Sequence, residues 1–242
     1  MARFLSHIVT DARGSVAGTT FSKNKTGLYM RSKVKGGNPS TAAQSVARGK
    51  FGAISQQWRG LLPEERNAWD EAAQFVSWQD SLGQSFTPSG FQLFMQRNNN
   101  LQAIDEDVIT QPVVAPSAPV VAIDDLIATH EELAPDTLDY FIGVSGDATG
   151  WVAEIQASAP IGAGIASIPA GRYRTIATRT DPTDAEQAEI SNDWRDIYRP
   201  GSGDDMFAND VGQKIFVRMR VVHVASGVAT PWTSASEVIS EV

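Results

Sequence analysis

Three prolines separate two different hydrophobic periods in this chain, and that switch constrains its fold more than any other feature. Pro112, Pro116 and Pro119 stand within residues 108–121, a run otherwise rich in Val and Ala. Proline removes the amide donor that a helix needs and fixes an extended backbone, so this stretch predicts a semi-rigid connector. Before it, apolar residues recur every three or four positions; after it, every second. Helix and strand faces have periods of 3.6 and 2, so one element type cannot satisfy both halves. The expectation is an α+β multidomain chain. It comprises an extended basic arm over 1–38, a small three-helix module over 39–107, a linker over 108–121, and an antiparallel β-sandwich over 122–242. With 242 residues, the chain is long enough for each folded part to bury a core.

The helical pattern is most regular after Asn38-Pro39-Ser40-Thr41. Ala43, Ala47, Phe51, Ile54, Trp58 and Leu61 fall at spacings of four and three, which places them on one helical face. Thr41 with Gln44 has the spacing of a capping box. Pro63 opens a second helix whose early Glu64 and Glu65 suit its positive end, with Ala68, Trp69, Ala72, Ala73 and Phe75 as its apolar side. A third helix opens at Thr87-Pro88-Ser89 and carries Phe91, Phe94, Met95 and Leu101.

Past the prolines, Leu138, Tyr140, Ile142 and Val144 alternate, as do Trp151, Ala153, Ile155 and Ala157. Ile215, Val217, Met219 and Val221 alternate with Phe216, Arg218, Arg220 and Val222, and a turn near Ser226-Gly227 leads to a final strand around Trp232–Ile239. These are the marks of half-buried strands. A helical insertion is expected where Thr183-Asp184-Ala185-Glu186 precedes Ile190, Trp194 and Ile197.

Charge is distributed unevenly. Residues 1–50 carry nine Lys or Arg against the single Asp11, a net +8, although the whole chain stands at −8. The remainder is therefore at −16, and the N-terminal piece is expected to meet something negative, either nucleic acid or an acidic protein surface. Its glycines and scattered apolar residues show no helical face. The segment is therefore expected to be disordered, or to be an arm that orders on a neighbouring surface. On an extended strand Tyr29, Arg31, Lys33 and Lys35 share one face and Leu28, Met30, Ser32 and Val34 the other. Those four residues are the candidate partner-binding set, by strand addition to a neighbour or by nonspecific contact with DNA phosphate. No helical motif for reading DNA sequence accompanies them.

Residues suited to catalysis do not cluster. With no cysteine, thiolate zinc sites, cysteine nucleophiles and disulfides are excluded. His7, His130 and His223 fall in separate segments, with His130 expected in a loop and His223 as a packed strand residue. Gly162-Ala163-Gly164-Ile165-Ala166-Ser167 contains a fragment of a dinucleotide-binding pattern, but Ser167 replaces its third glycine and no βαβ unit surrounds it, so a flexible loop is expected. Neither Asp105-Glu106-Asp107 nor Asp204-Asp205 with Asp210 has the alternation of a calcium loop. Trp58, Trp69 and Trp78 could form a sugar-stacking platform, although Trp58 and Trp69 lie in the helical apolar pattern and are expected in a core. The reading is of a protein that is not an enzyme, with no cofactor and no metal site. A glycan hydrolase would need two carboxylates facing across a cleft. The start of the chain is a poor secretory signal, since Ser6 and His7 break its apolar patch, and no run is long enough to span a membrane.

Tyr29-Met-Arg-Ser-Lys-Val, Asn38-Pro-Ser-Thr-Ala-Ala-Gln44, Arg48-Gly-Lys-Phe51, Trp58-Arg-Gly-Leu61 and Arg66-Asn-Ala-Trp69 together resemble a module of uncharacterised proteins from tailed bacteriophages and prophages. Ser89-Gly-Phe-Gln-Leu-Phe-Met-Gln-Arg-Asn98 is similar to the segment that follows in that group. The likeness covers residues 29–101 and implies a virion structural role. In style, Phe216-Val-Arg-Met-Arg-Val-Val222 with Pro231-Trp232 resembles fibronectin type III or immunoglobulin-like sandwiches. The expectation is a virion structural protein, as a minor capsid or decoration protein or a head–tail or tail component. It would be assembled in the host cytoplasm as a homo-oligomer with other virion proteins, away from membranes. The alternative is a sandwich that adheres to host glycans or the host surface.

Overall fold

The structure is a computed structural model and describes residues 2–3, 14–24, 27–34, 41–80, 82–130, 136–182, 186–200, 207 and 209–241. It has the α+β composition expected, in two units, Met1–Met95 and Gln96–Val242.

The first unit opens with four short strands: β1 (Ala2–Arg3), β2 (Gly14–Val16), β3 (Thr19–Asn24) and β4 (Gly27–Ser32). They form one antiparallel sheet in the order β1-β4-β3-β2. Here the structure departs from the expectation of a disordered or singly extended arm. The segment pairs with itself, because the positive-φ Gly27 helps fold β3 back onto β4 in register, Phe21 opposite Met30 and Ser22 opposite Tyr29.

Helix α1 (Ala42–Gly60) begins where Thr41 Oγ1 accepts from the Gln44 amide, and α2 (Pro63–Ala73) where Glu65 accepts from the Leu62 amide at 2.8 Å. A hairpin of β5 (Trp78–Gln79) and β6 (Ser85–Phe86) follows, its turn held by Asp80, which accepts from the amides of Leu82 and Gln84. Helix α3 (Gly90–Ala103) opens on a reciprocal pair in which Ser89 N–H donates to Gln92 and the Gln92 amide to Ser89 Oγ. All three helices start where the capping residues predict.

Trp58 and Trp69 pack on Phe94 at centroid separations of 5.2 and 5.4 Å, with Ile54, Leu61, Ala73 and Leu93 buried in the same unit. The α1 stripe is covered over only part of its length: Ile54 and Leu61 are buried, whereas Ala47 and Phe51 are exposed.

In the second unit the last turns of α3 precede an irregular run over 106–119, as the prolines predict. Strands β7 (Val120–His130), β8 (Thr137–Ser145), β9 (Trp151–Ala157), β10 (Ile161–Gly162), β11 (Arg174–Thr180) and β12 (Glu186–Glu189) come next. Helix α4 (Ser191–Tyr198) is followed by β13 (Gln213–His223), β14 (Thr233–Val238) and β15 (Ser240–Glu241). One sheet runs β10-β13-β9-β11 with β14 also on β13; the other runs β12-β8-β7-β15. Pairing is antiparallel except between β15 and β7. A single apolar cluster joins Leu126, Ala128, Leu138 and Tyr140 of one sheet to Ile155, Val217, Met219 and Val221 of the other.

Two local expectations are corrected. His130 ends a strand rather than lying in a loop, because β7 continues in register with β8 as far as Thr129. Glu186 does not cap a helix: Glu186–Glu189 pairs with β8 and α4 starts later, at Ser191, with Trp194 sealed in the core. Of the loop expected over Gly162–Ser167, residues 163–167 form turn and irregular backbone as expected, and only Gly162 is drawn into pairing with β13.

Candidate functional site

Two surfaces concentrate side chains able to bind a partner, one in each unit. In the first, antiparallel register puts directly opposed residues on the same face of the sheet. Tyr29 opposes Ser22 and Arg31 opposes Thr20, whose hydroxyl bonds Ser15 Oγ at 2.8 Å. Met30 opposes Phe21 on the reverse face, which also carries Leu28 and Val16. One side therefore carries Tyr29 and Arg31 with Ser22 and Thr20, while the other mixes these apolar residues with Lys23, Thr19 and Ser32. Lys33 lies just past β4, exposed, and its amide extends the ladder to the Gly18 carbonyl at 2.8 Å. Lys35 lies outside the described residues.

The second surface is the outer face of the sheet built on β13 and β9. The inward positions Val217, Met219 and Val221 fill the core, so Arg218 and Arg220 point outward. Register places Arg218 opposite Gln156 and Arg220 opposite Glu154. Arg218 donates through Nε and Nη2 to Gln156 Oε1 at 2.9 and 2.6 Å. Arg220 donates through Nε to Glu154 Oε2 at 2.8 Å, and Nη2 lies 2.7 Å from the same oxygen. The other Glu154 oxygen accepts from Gln156 Nε2 and from the Thr175 hydroxyl.

Aromatic rings stack against these cations. The Arg218 guanidinium sits 4.2 Å from the Tyr173 ring centroid and 4.3 Å from that of Trp232, and Arg220 lies 4.6 Å from Trp232. Arg220 Nη1 also donates to Asn100 Oδ1, and Asn100 Nδ2 to the Gly227 carbonyl, which ties the end of α3 to this sheet. Burial raises the Tyr173 phenol above its ordinary range, against the pull of Arg218. Burial likewise lowers Arg218, against the pull of Tyr173 and Glu154. The result is a face on which two guanidinium groups, plated by aromatic rings, are bonded to Gln156 and Glu154.

The two described histidines also find partners. His130 Nδ1 lies 2.6 Å from Asp136 Oδ1, and Asp136 Oδ2 accepts from the Phe207 amide, so this buried carboxylate anchors two segments. His223 packs on Trp151 with ring centroids 5.1 Å apart and shares a hydrogen bond with Ser226 Oγ, as expected of a packed strand residue. His7, Asp204 and Asp205 lie outside the described residues. Asp210 accepts from Arg199 and Gln213. Among the described residues, no group of three or more His, Asp or Glu is placed to hold a metal ion. No described helix is long and apolar enough to cross a membrane.

A cleft of about 240 Å³ opens beside α4, lined by Ser158, Ala159, Ile161, Arg172, Arg174 and Tyr198. Arg174 Nη1 is held by the carbonyls of Gly171 and Tyr173, and the Tyr198 hydroxyl donates to the Ala157 carbonyl at 2.7 Å.

The sequence singled out Tyr29 and Arg31 correctly as sharing a face. It missed the arginine–aromatic surface, whose members come from α3, β9, β11, β13 and the turn before β14. The only local signal was the outward alternation of Glu154 with Gln156 and of Arg218 with Arg220. Comparison with known protein families and with curated proteins returns no match to this chain.

Proposed function

We propose that the protein is a non-enzymatic structural subunit of a tailed-bacteriophage virion, in the capsid, neck or tail, that assembles through its basic N-terminal sheet. The observation that carries this reading is the segregation of charge. A +8 segment precedes a −16 body, and Tyr29 and Arg31 share one face of the N-terminal sheet, with Lys33 exposed beside it. Electrostatic complementarity of this kind steers subunits together and fixes their register. The resemblance of residues 29–101 to phage proteins supports the same reading, as does the satisfied character of the polar network around Glu154. The partners are other virion proteins and further copies of the chain, the basic face also being able to contact DNA phosphate without sequence preference. The second unit, on this reading, is an immunoglobulin- or fibronectin-like sandwich displayed on the particle.

The test compares the wild-type chain with a variant carrying Tyr29→Ala, Arg31→Glu and Lys33→Glu, scoring incorporation into phage particles. Loss of incorporation by a folded variant is the expected result. Unchanged incorporation at matched expression rejects the basic sheet as the assembly element.

A second reading is adhesion of the sandwich to host glycans. The cleft favours it, because Arg172 and Arg174 at its rim are suited to a sugar carboxylate. Saturable binding of acidic glycans by the full chain, abolished by Arg172→Ala with Arg174→Ala, is its distinguishing result.

A further inference from the structure

The sequence places Ala47 and Phe51 on the same helical stripe as Ile54, Trp58 and Leu61, yet the fold covers only the second half of that stripe. From Ala42 to Phe51, Gln44 alone among the residues whose side chains are described is partly buried. Phe51 is 53% exposed and Val46 61%. This half-helix is also weak by composition, with Gly49 and Gly52 in its interior and nothing within 4 Å of the position of a side chain at either. Each glycine costs a helix about 1 kcal/mol relative to alanine, and an unsupported segment this short is marginal in water. An apolar stripe that continues onto a weak half-helix whose described side chains are mostly exposed calls for a partner surface.

The chain itself carries the complement. Helix α1 holds Arg48, Lys50 and Arg59 and no acidic residue. Arg48 and Lys50 flank Phe51 on either side of the stripe, at the angles a 3.6-residue period dictates. Helix α2 holds Glu64, Glu65, Asp70 and Glu71 against Arg66 alone. Its outer face carries the exposed Glu64, Asn67 and Glu71, and it runs into Phe75, which is 91% exposed. One surface is thus an apolar ring flanked by cations and the other an apolar ring beside carboxylates.

We propose that the N-terminal half of α1, through Phe51, Arg48 and Lys50, docks on the outer face of α2 of a second copy, through Phe75, Glu64 and Glu71. The two surfaces differ, so each copy offers its α1 to the α2 of a neighbour, either reciprocally within a two-fold pair or along successive copies. Repetition closes into a ring or continues as an open chain. This deepens the assembly reading by naming the partner as a second copy, and it uses helices rather than the Tyr29–Arg31 face.

Charge exchange in the full-length chain tests it. One variant carries Arg48→Glu with Lys50→Glu, the other Glu64→Lys with Glu71→Lys. All four positions are exposed, and circular dichroism with thermal melting verifies that each variant folds. By light scattering and sedimentation, each variant alone should self-associate about tenfold or more weakly than wild type, and an equimolar mixture of the two should recover association. Recovery on mixing is diagnostic, since every docked pair then again joins opposite charges. A wild type that stays monomeric across the concentration range overturns the proposal. So does a wild-type oligomer that both variants preserve. In that last case the Tyr29→Ala, Arg31→Glu, Lys33→Glu variant separates the two ideas, because its loss of association keeps the assembly reading while the α1–α2 contact falls.

Discussion

Arg220 reaches from β13 to β9 to close on Glu154, with its Nη2 2.7 Å from the carboxylate Oε2 and the Glu154 side chain only 2% exposed. Because the carboxylate is almost wholly withdrawn from water, its charge depends on this guanidinium and on Gln156 and Thr175 for solvation. Substituting Glu154→Gln keeps the shape but leaves Arg220 without its counter-charge. The expected cost is about 2–4 kcal/mol, below the range for a fully buried pair because Arg220 retains some solvent. Urea denaturation checks it, with a lowered midpoint and an unchanged slope; a loss under about 0.5 kcal/mol would show that water already solvates the carboxylate.

Trp232 touches both cations of the same face. Trp232→Leu keeps apolar bulk but removes both ring contacts, and it should cost about 1–2 kcal/mol. Arg218→Lys should be nearly as damaging as Arg218→Ala, because an ammonium cannot donate twice to Gln156 while lying between two rings. A double-mutant cycle on Arg218 and Trp232 is expected to return a favourable coupling energy, and additivity would argue that the stacking contributes nothing.

Gly227 and Gly212 both adopt positive φ, at +64° and +81°, but their surroundings differ. A side chain at Gly227 would press on the Arg97 carbonyl, with the carbonyl carbon 2.8 Å away, whereas nothing lies within 4 Å at Gly212. Gly212→Ala should therefore cost about 1 kcal/mol for the backbone alone. Gly227→Ala should cost about 2–4 kcal/mol, since the α3 backbone must also move. Melting temperatures of the two variants give the comparison directly, and equal shifts would rule out the close approach.

His223 has its pKa lowered from the ordinary histidine value by desolvation against Trp151 and Gly150. The folded state then binds its proton less readily than the unfolded chain. This contribution to stability is complete above about pH 6.5 and is lost as pH falls from there through the folded pKa. The wild type should lose more stability between pH 7.5 and pH 5.5 than His223→Gln measured alongside it. Identical pH profiles would mean that the ring is solvated in the folded state.

Local signals predicted the elements whose physics is local. Thr41, Pro63 and Ser89 mark the starts of the three N-terminal helices because a cap needs only residues three positions apart. The alternations at 138–144, 151–157 and 215–222 predicted strands because successive side chains of a strand point to opposite faces, a period of two. The same rule placed Tyr29 and Arg31 on one side of β4. Where an element depended on a distant partner, the local signal misled. Glu186 has a capping-box position, yet Glu186–Glu189 pairs with β8, some 45 residues earlier. β7 begins immediately after Pro119, where its pairing with β8 outweighs the extended-linker signal.

Local sequence signals were enough for the starts of α1, α2 and α3, for the two-residue period of the core strands, and for the division of charge between the N-terminal segment and the rest. Only the tertiary structure decided that residues 14–32 pair with each other, that Arg218 and Arg220 lie between Tyr173, Trp232 and Glu154, and that half of the α1 stripe is left uncovered. The physical reason is range. Side-chain period and capping act over a few bonds along the chain, whereas strand register and cation stacking join residues tens of positions apart. Their energies depend on a geometry that exists only once the sheets have formed.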